Sequence, residues 1–180
     1  MNAKGSLPMV SRHRGFTLLE VLVALLIFSL GLIGMAGLTV LSVKTNHSAF
    51  LRTQASFIAQ AMEDRMRANI IGVWNDDYDA TYPSGVGALT CDVAPGCTPA
   101  QISQRDKAIF DAQLARSLPV GATATIACTR SGGVAAPAAA DLLRRPPYQG
   151  NCTMDIVWTE SNVQNEQAAA AQQFTWAFQP

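Results

Sequence analysis

The feature that most constrains this chain is an apolar run, Val21 to Leu41, that contains no charged residue. As a helix, its roughly 21 residues would extend about 32 Å, enough to cross a bilayer core of about 30 Å. A helix buried in a soluble core seldom stays apolar on every side over such a length, because one face normally meets water. The run therefore predicts a membrane-spanning helix.

A short basic leader precedes the run, and only Lys44 follows it closely. Lys4, Arg12 and Arg14 give the leader its charge, so the positive-inside rule places it in the cytoplasm and the bulk of the chain outside. A secretory signal would have a shorter apolar segment with the cleavage site after it. Here the candidate cleavage point, Gly15–Phe16, lies before the run, so the apolar helix would be kept.

One acidic residue, Glu20, lies directly before the run. A charged side chain at mid-bilayer costs about 2.5–3.5 kcal/mol on insertion scales, and less near the edge, so such residues usually have a partner. The available cation nearby would be a terminal amine on Phe16, created by cleavage. The alternative is that Glu20 lies at the headgroup boundary and needs no partner.

The sequence around this junction, Arg-His-Arg-Gly-Phe-Thr-Leu-Leu-Glu-Val-Leu-Val-Ala over residues 12–24, resembles the prepilin-type leader of type IV pilins and their relatives. The resemblance implies that a prepilin peptidase cuts after Gly15 and then N-methylates Phe16. It also implies that Glu20 neutralises the terminal ammonium of a neighbouring subunit during assembly.

Three glycines at three-residue intervals, Gly31, Gly34 and Gly37, lie within the apolar run. Small residues let another helix approach closely in a membrane, which favours a packing face. Glycine is also common in transmembrane helices in general, and that interpretation stays open. With the segment 59–69, these glycines make residues 12–70 similar to PilV, a family of minor pilins that modify type IV pili. Pseudopilins of type II secretion share the opening of the helix but typically lack these glycines and this segment.

Beyond Lys44 the pattern becomes amphipathic. Apolar residues recur at spacings of three, four and seven, which predicts that the helix continues to about Ile71 with Gly72 just past its end. The rest of the chain would cover the apolar face of this half. That predicted inner face consists of Phe50, Leu51, Phe57, Ile58, Ala61, Met62, Met66 and Ile70.

The remaining sequence predicts a small head. Residues 74–98 are rich in Asp, Pro and Gly, and this composition predicts a loop. The spacing and the distal glutamate of a calcium-binding EF-hand are missing, so the aspartates predict a solvated acidic turn. A short helix is predicted over 99–117 with Ile102, Ala108, Ile109 and Leu114 inward, and alternation predicts strands over 122–129, 152–159 and 173–178.

The predicted fold class is α+β and pilin-like: a long N-terminal helix whose second half packs on a small antiparallel sheet of three or four strands. The expected divisions are a cleaved leader at 1–15, a transmembrane and assembly helix at 16–43, its amphipathic continuation at 44–72, and an extracytoplasmic head at 73–180. Within the head, residues 161–172 form a polar, alanine-rich connection between two strands.

Four cysteines lie on the proposed outer side. An even number in an exported domain favours disulfides, and a zinc site would need close cysteine pairs at both ends. Cys91–Cys97 would close a small loop, and Cys128–Cys152 would join the base of the excursion at 131–150. Crossed pairings stay open.

Composition disfavours several functional classes. Without its leader the chain is mildly acidic and keeps one histidine, His47, so no enzyme, metal site or cofactor is predicted. Arg130, Arg144 and Arg145 are a weak candidate patch for a ligand. Arginines in a flexible loop are more often solvated, and nucleic acid is not expected as a partner.

The expected function is that of a minor pilin in the initiating or tip complex of a type IV pilus. Its expected partners are minor and major pilins, through the N-terminal helix, the prepilin peptidase, and inner-membrane lipid. The chain would cross the inner membrane once, with its head in the periplasm, and reach the pilus after assembly. The alternatives are a minor pseudopilin of type II secretion and a tip pilin that binds DNA or a surface ligand.

Overall fold

The structure, a computed structural model, describes residues 15–91, 96–160 and 170–180. The leader predicted at 1–15 lies, apart from Gly15, outside the described residues, as does 161–169 of the alanine-rich connection. The chain divides into two compact units between Thr45 and Asn46. Its elements, in order, are α1 (Leu18–Ala68), α2 (Ile70–Trp74), β1 (Ala80–Tyr82), α3 (Pro99–Ser117), β2 (Thr123–Arg130), a 3-10 turn (Ser131–Gly133), α4 (Ala139–Leu142), β3 (Gly150–Glu160) and β4 (Ala170–Phe178).

The four strands form one antiparallel sheet in the order β1-β2-β3-β4, which confirms the predicted α+β architecture and the three predicted strands. Alternation sets the inner face, because successive side chains of a strand point to opposite sides. Met154, Ile156 and Trp158 of β3 are all buried, as their spacing predicted.

The second half of α1 covers the apolar face of this unit, and most of the predicted inner residues are buried: Leu51, Ile58, Met62, Met66 and Ile70. The prediction was wrong for Ala61, which is only half-buried, and for two phenylalanines. Phe50 and Phe57 are 56% and 61% exposed. They lie seven residues apart and share a face beside the buried one, so hydrophobicity alone placed them wrongly inside. The buried positions of α1 recur at three and four residues: Leu51, Ala55, Ile58, Ala59, Met62, Glu63 and Met66.

The helix ends earlier than predicted, at Ala68, because Asn69 breaks it. The Asn69 side chain donates to the hydroxyl of Tyr78 at 3.0 Å and to the carbonyl of Pro99 at 2.8 Å. Gly72 was predicted just past the helix end, yet it lies inside α2 and is buried. A Cβ atom there would lie 2.5 Å from the Asn69 amide nitrogen, so only glycine fits without a shift.

Residues 74–98, predicted as a loop, also contribute to the core. Trp74, Tyr78 and Tyr82 are each at most 1% exposed, and β1 ends at Tyr82. The Tyr82 ring meets the Phe110 ring edge-on with centroids 4.9 Å apart. The aspartates between these aromatic residues had obscured their regular four-residue spacing.

The predicted helix over 99–117 is confirmed as α3, which begins with a capping box in which Thr98 and Gln101 bond each other's backbone N–H. Its inner face is Ser103, Asp106, Phe110 and Leu114. Leu114 was predicted correctly, whereas Ile102, Ala108 and Ile109 are only half-buried. The prediction failed because two positions of the true face are polar.

Polar contacts beside the apolar core also join the second half of α1 to the sheet. Trp176 donates its indole N–H to the carboxylate of Glu63 at 2.7 Å, and Glu63 also pairs with Arg67. The flanking hydrogen bonds are Ser48 to Glu160 at 3.3 Å, Arg52 to Gln172 at 3.0 Å, and Arg67 to the Gln179 carbonyl at 3.3 Å.

Candidate functional site

The start of α1 is organised by Thr17, which sequence analysis did not single out. Its hydroxyl oxygen accepts a hydrogen bond from the Glu20 amide at 3.3 Å, and its carbonyl accepts from the Glu20 and Val21 amides. Threonine followed three residues later by glutamate is a sequence signature of a helix N-terminus. This pattern could have identified Thr17 as the residue that fixes where the helix begins.

Glu20 lies in the first turn of α1, where the unpaired amides of the helix favour a negative charge. Among the described residues, no cationic side chain pairs with its carboxylate. Phe16 is 83% exposed. Four exposed apolar residues lie beside Phe16 and Glu20 along the helix: Val21, Ala24, Leu25 and Phe28.

Within the described ranges of the chain, the apolar part of α1 has no buried side chain. Among the described residues, α1 is the one helix long and apolar enough to cross a membrane. Its most apolar stretch has a mean hydropathy of 2.6, and none of that stretch is buried. An exposed apolar surface of this extent requires lipid or another protein as its environment.

Gly31, Gly34 and Gly37 lie within this stretch. A Cβ atom added at any of them would meet nothing within 4 Å outside the local helix backbone. No part of the chain that the structure describes therefore requires these glycines.

Both disulfides that the sequence favoured are formed in the structure. Cys91 is bonded to Cys97 with Cα atoms 5.3 Å apart, and residues 92–95 between them lie outside the described ranges. Cys128 and Cys152 face each other across β2 and β3 with Cα atoms 4.0 Å apart. The second bond joins the two ends of the excursion at 131–150.

The three arginines of the candidate ligand patch do not have equivalent surroundings. Arg130 donates to the Trp74 carbonyl at 2.9 Å and forms an ion pair with Asp76 at 2.6 Å. Its charge is therefore already compensated. Arg144 and Arg145 are exposed and follow α4.

A buried polar network surrounds the break between α1 and α2. Tyr78 accepts from Asn69 and donates to the Asp106 carboxylate at 2.7 Å. Burial raises the pKa of Asp106 above its ordinary value, against the lowering effect of the bond from Tyr78 and of nearby arginines. Burial, reinforced by the bond to Asp106, raises the pKa of Tyr78 strongly. This network stabilises the fold and lies among core residues, not at an open cleft.

The acidic segment after α2 also serves the fold. The Asp79 carboxylate accepts from the Cys128 amide, with both oxygens at 3.2 Å. Burial is the main cause that raises the pKa of Asp79, and the bond from Cys128 opposes it. Asp76 and Asp79 are thus engaged by protein groups and are not arranged like the ligands of an EF-hand loop.

The comparisons with known proteins agree with the geometry at the amino end of α1. No curated protein and no solved structure shows significant similarity to the chain. Residues 10–36, which include Gly15, Phe16 and Glu20, match the family described as the Prokaryotic N-terminal methylation motif. This motif, followed by an exposed apolar helix, indicates that the chain is a leader-cleaved protein of the type IV pilin or pseudopilin kind.

Proposed function

We propose that the chain is a minor pilin of the PilV kind. Its leader is cut after Gly15, Phe16 is methylated, and α1 holds the protein in the inner membrane with the head in the periplasm. From there the protein enters the initiating or tip complex of a type IV pilus, as a structural subunit without catalytic activity.

The exposed apolar stretch of α1 carries this proposal. No residue that the structure describes buries any of that stretch, although the second half of the same helix is covered by the head. Lipid can surround the stretch before assembly, and the helices of other subunits can surround it afterwards. A helix that is bare in the isolated chain is what such a transfer between two apolar environments requires.

The amino end of α1 supplies a means of ordering the subunits. Cleavage at Gly15 would leave an ammonium on Phe16, four residues before the Glu20 carboxylate. An ion pair between the amine of one subunit and Glu20 of its neighbour would remove both charges from lipid at once. Thr17 fixes the helix start, and hence the position of Glu20 relative to the cleaved end.

Packing surfaces along α1 complement this pair. Gly31, Gly34 and Gly37 offer backbone for close helix contacts. Phe50 and Phe57 add an apolar face beyond the membrane-length stretch that the head leaves uncovered.

The test compares Glu20→Ala with Asp64→Ala, which removes another exposed acid from the same helix. Mass spectrometry of the amino terminus reports cleavage and methylation, and recovery in sheared pili reports incorporation. We expect both variants to be processed, but only Asp64→Ala to reach the pili. Equal incorporation of Glu20→Ala contradicts the pairing role, and an uncleaved wild-type amino terminus contradicts the whole proposal.

A minor pseudopilin of type II secretion is the second candidate, because such proteins carry the same methylation motif. Deleting the gene distinguishes the two machines. Loss of pili with normal secretion supports the pilin, whereas loss of secretion with normal pili supports the pseudopilin.

A further inference from the structure

The two edges of the sheet are built differently. At the β1 edge, the strand has three residues. Next to it, the Cys128 amide of β2, which β1 does not reach, donates to the Asp79 carboxylate. At the other edge, β4 has nine residues that pair one-to-one with β3 from Ala170 to Phe178. Natural edge strands are usually protected by shortness, charge, proline or a bulge. Strand β4 has no charged residue, no proline and no bulge in its register.

The register determines which backbone groups face the open edge. The backbone N–H of Cys128 points to Asp79 and thus away from β3. Cys152 lies opposite Cys128, so the backbone N–H and C=O groups of Cys152 point to β4. Phe178, opposite Cys152, therefore bonds to β3, and so does every second residue before it. The residues between them direct their N–H and C=O groups outward: Ala171, Gln173, Thr175 and Ala177.

An apolar flank lies beside these outward groups. The rings of Phe174 and Trp176 stack with centroids 6.2 Å apart on the inner face, and both side chains remain only half-buried. No described residue bonds the outward backbone groups of Gln173, Thr175 and Ala177. A strand added beside β4 would pair with these groups and cover the remaining surface of the two rings, as in strand-addition recognition.

The contacts between α1 and β4 fix the direction of the strand. Gln172 bonds to Arg52, Trp176 to Glu63, and Gln179 to Arg67, so both elements run the same way. An antiparallel pair of two β4 strands would place their Asn46 ends at opposite ends of the dimer. That arrangement conflicts with two subunits anchored in one membrane with the same topology.

Other pairings between copies fail as well. In a symmetric parallel pair, each residue with outward N–H and C=O groups would lie opposite the same residue of the other copy. In a parallel ladder, the bonding residues of the two strands are instead offset by one residue. Pairing β4 with the β1 edge of another copy would meet a three-residue strand and the carboxylate of Asp79.

We infer that the open edge of β4 is a docking site for an extended, uncharged strand from a different pilin-type subunit. The partner strand presents apolar side chains on the side of Phe174 and Trp176, and small or polar ones beside Gln173 and Thr175. This inference rests on the proposed function and names the partner class for the head.

The test uses the full chain in cells that assemble the pilus. The photocross-linker benzoylphenylalanine replaces Ala177 at the edge or, as control, the fully exposed Val120. We expect position 177 to cross-link at least about tenfold more than position 120 to a second protein with the methylation motif, through an extended segment. Yield equal to the control, or cross-linking to lipid or to another copy of this chain, overturns the inference.

Proline substitutions test the role of the outward amides. Thr175→Pro removes one such amide, whereas Thr175→Ala keeps it; both lose the hydroxyl bond to Asp155. The cross-link should fall at least about tenfold in Thr175→Pro and persist in Thr175→Ala. If Thr175→Pro lowers the melting temperature, Ala177→Pro with the cross-linker in place of Gln173 repeats the test. Persistence of the cross-link in a folded proline variant overturns the inference.

Scoring leader cleavage and pilus recovery in the same cells separates the two proposals. Wild-type chain in pili without the edge cross-link contradicts the docking site alone. Wild-type chain that is never recovered in pili contradicts the proposed function.

Discussion

Glu63 provides the sharpest test of how the head is held on α1. Its side chain is buried, accepts the indole N–H of Trp176 at 2.7 Å, and pairs with Arg67 on the next turn. Replacing Glu63 by alanine removes both contacts and leaves the Trp176 donor without its acceptor. We expect this variant to lose a large part of the stability of the head.

The magnitude follows from the two contacts. A hydrogen bond to a charged group contributes about 1.5–3 kcal/mol, and stranding a buried donor costs about as much again if water cannot reach it. Trp176 is half-buried, so part of that second cost is relieved by water. The Arg67 side chain is 52% exposed, and its ion pair therefore adds little. The sum is about 2–4 kcal/mol, which lowers the melting temperature of a head of this size by about 6–20 °C.

The assay is thermal unfolding of the full chain in detergent, followed by the near-ultraviolet circular dichroism of its tryptophans. Glu63→Gln retains an acceptor for Trp176 and should lose about 1 kcal/mol. Asp64→Ala, the adjacent exposed acid, should stay within about 0.5 kcal/mol of wild type.

A double-mutant cycle with Trp176→Phe completes the test. Because Glu63 and Trp176 share one hydrogen bond, the double variant should lose less than the sum of the single losses. Strict additivity, or a loss in Glu63→Ala no larger than in Asp64→Ala, would refute the assigned contact.

Three further predictions follow from the head. Gly72→Ala should destabilise it by about 1–3 kcal/mol, because the new Cβ atom meets the Asn69 side chain, and a lower melting temperature would show this. Burial raises the folded-state pKa of Asp106, so its stabilising contribution is complete below the unfolded value of about 3.9 and is lost as the pH rises through the folded pKa. Denaturant titrations from acid to neutral pH should therefore show that decline in wild type and a flatter profile in Asp106→Asn. Replacing Cys128 and Cys152 together by serine should cost about 3 kcal/mol in chemical unfolding, since their bond closes a ring across 24 residues.

Regular patterns made most of the architecture predictable. The strands β2, β3 and β4 follow from alternation, and α3 follows from its proline start and helical spacing. The face of α3 was harder, because Ser103 and Asp106 occupy inner positions. A buried polar residue needs a hydrogen-bond partner. Ser103 donates to the Ala100 carbonyl within the helix, whereas Asp106 accepts from Tyr78, which lies in a different segment.

The end of α1 shows why local rules fail at some positions. Asn69 breaks the helix through bonds to Tyr78 and Pro99, which lie 9 and 30 residues further along the chain. Such contacts have no signature in a local window. Gly72 resembles a helix terminator in sequence, yet its function is to make room for Asn69.

The residues of the candidate site, unlike these core residues, can be found from a local stretch of sequence. Gly15, Phe16 and Glu20 form a linear motif, so the sequence alone locates them. Their predicted partners are other molecules, and neither pattern nor fold within one chain specifies which subunits they meet.

The paired run of α1 and β4 also limits how the protein can vary in length. From Arg52 to Arg67 the helix advances about 22 Å, and from Gln172 to Gln179 the strand advances about 23 Å. An insertion in one element would put all later contacts out of step unless the other grew in proportion. Variants with longer heads should therefore gain about two helical residues for each strand residue, or place their added residues in the connections.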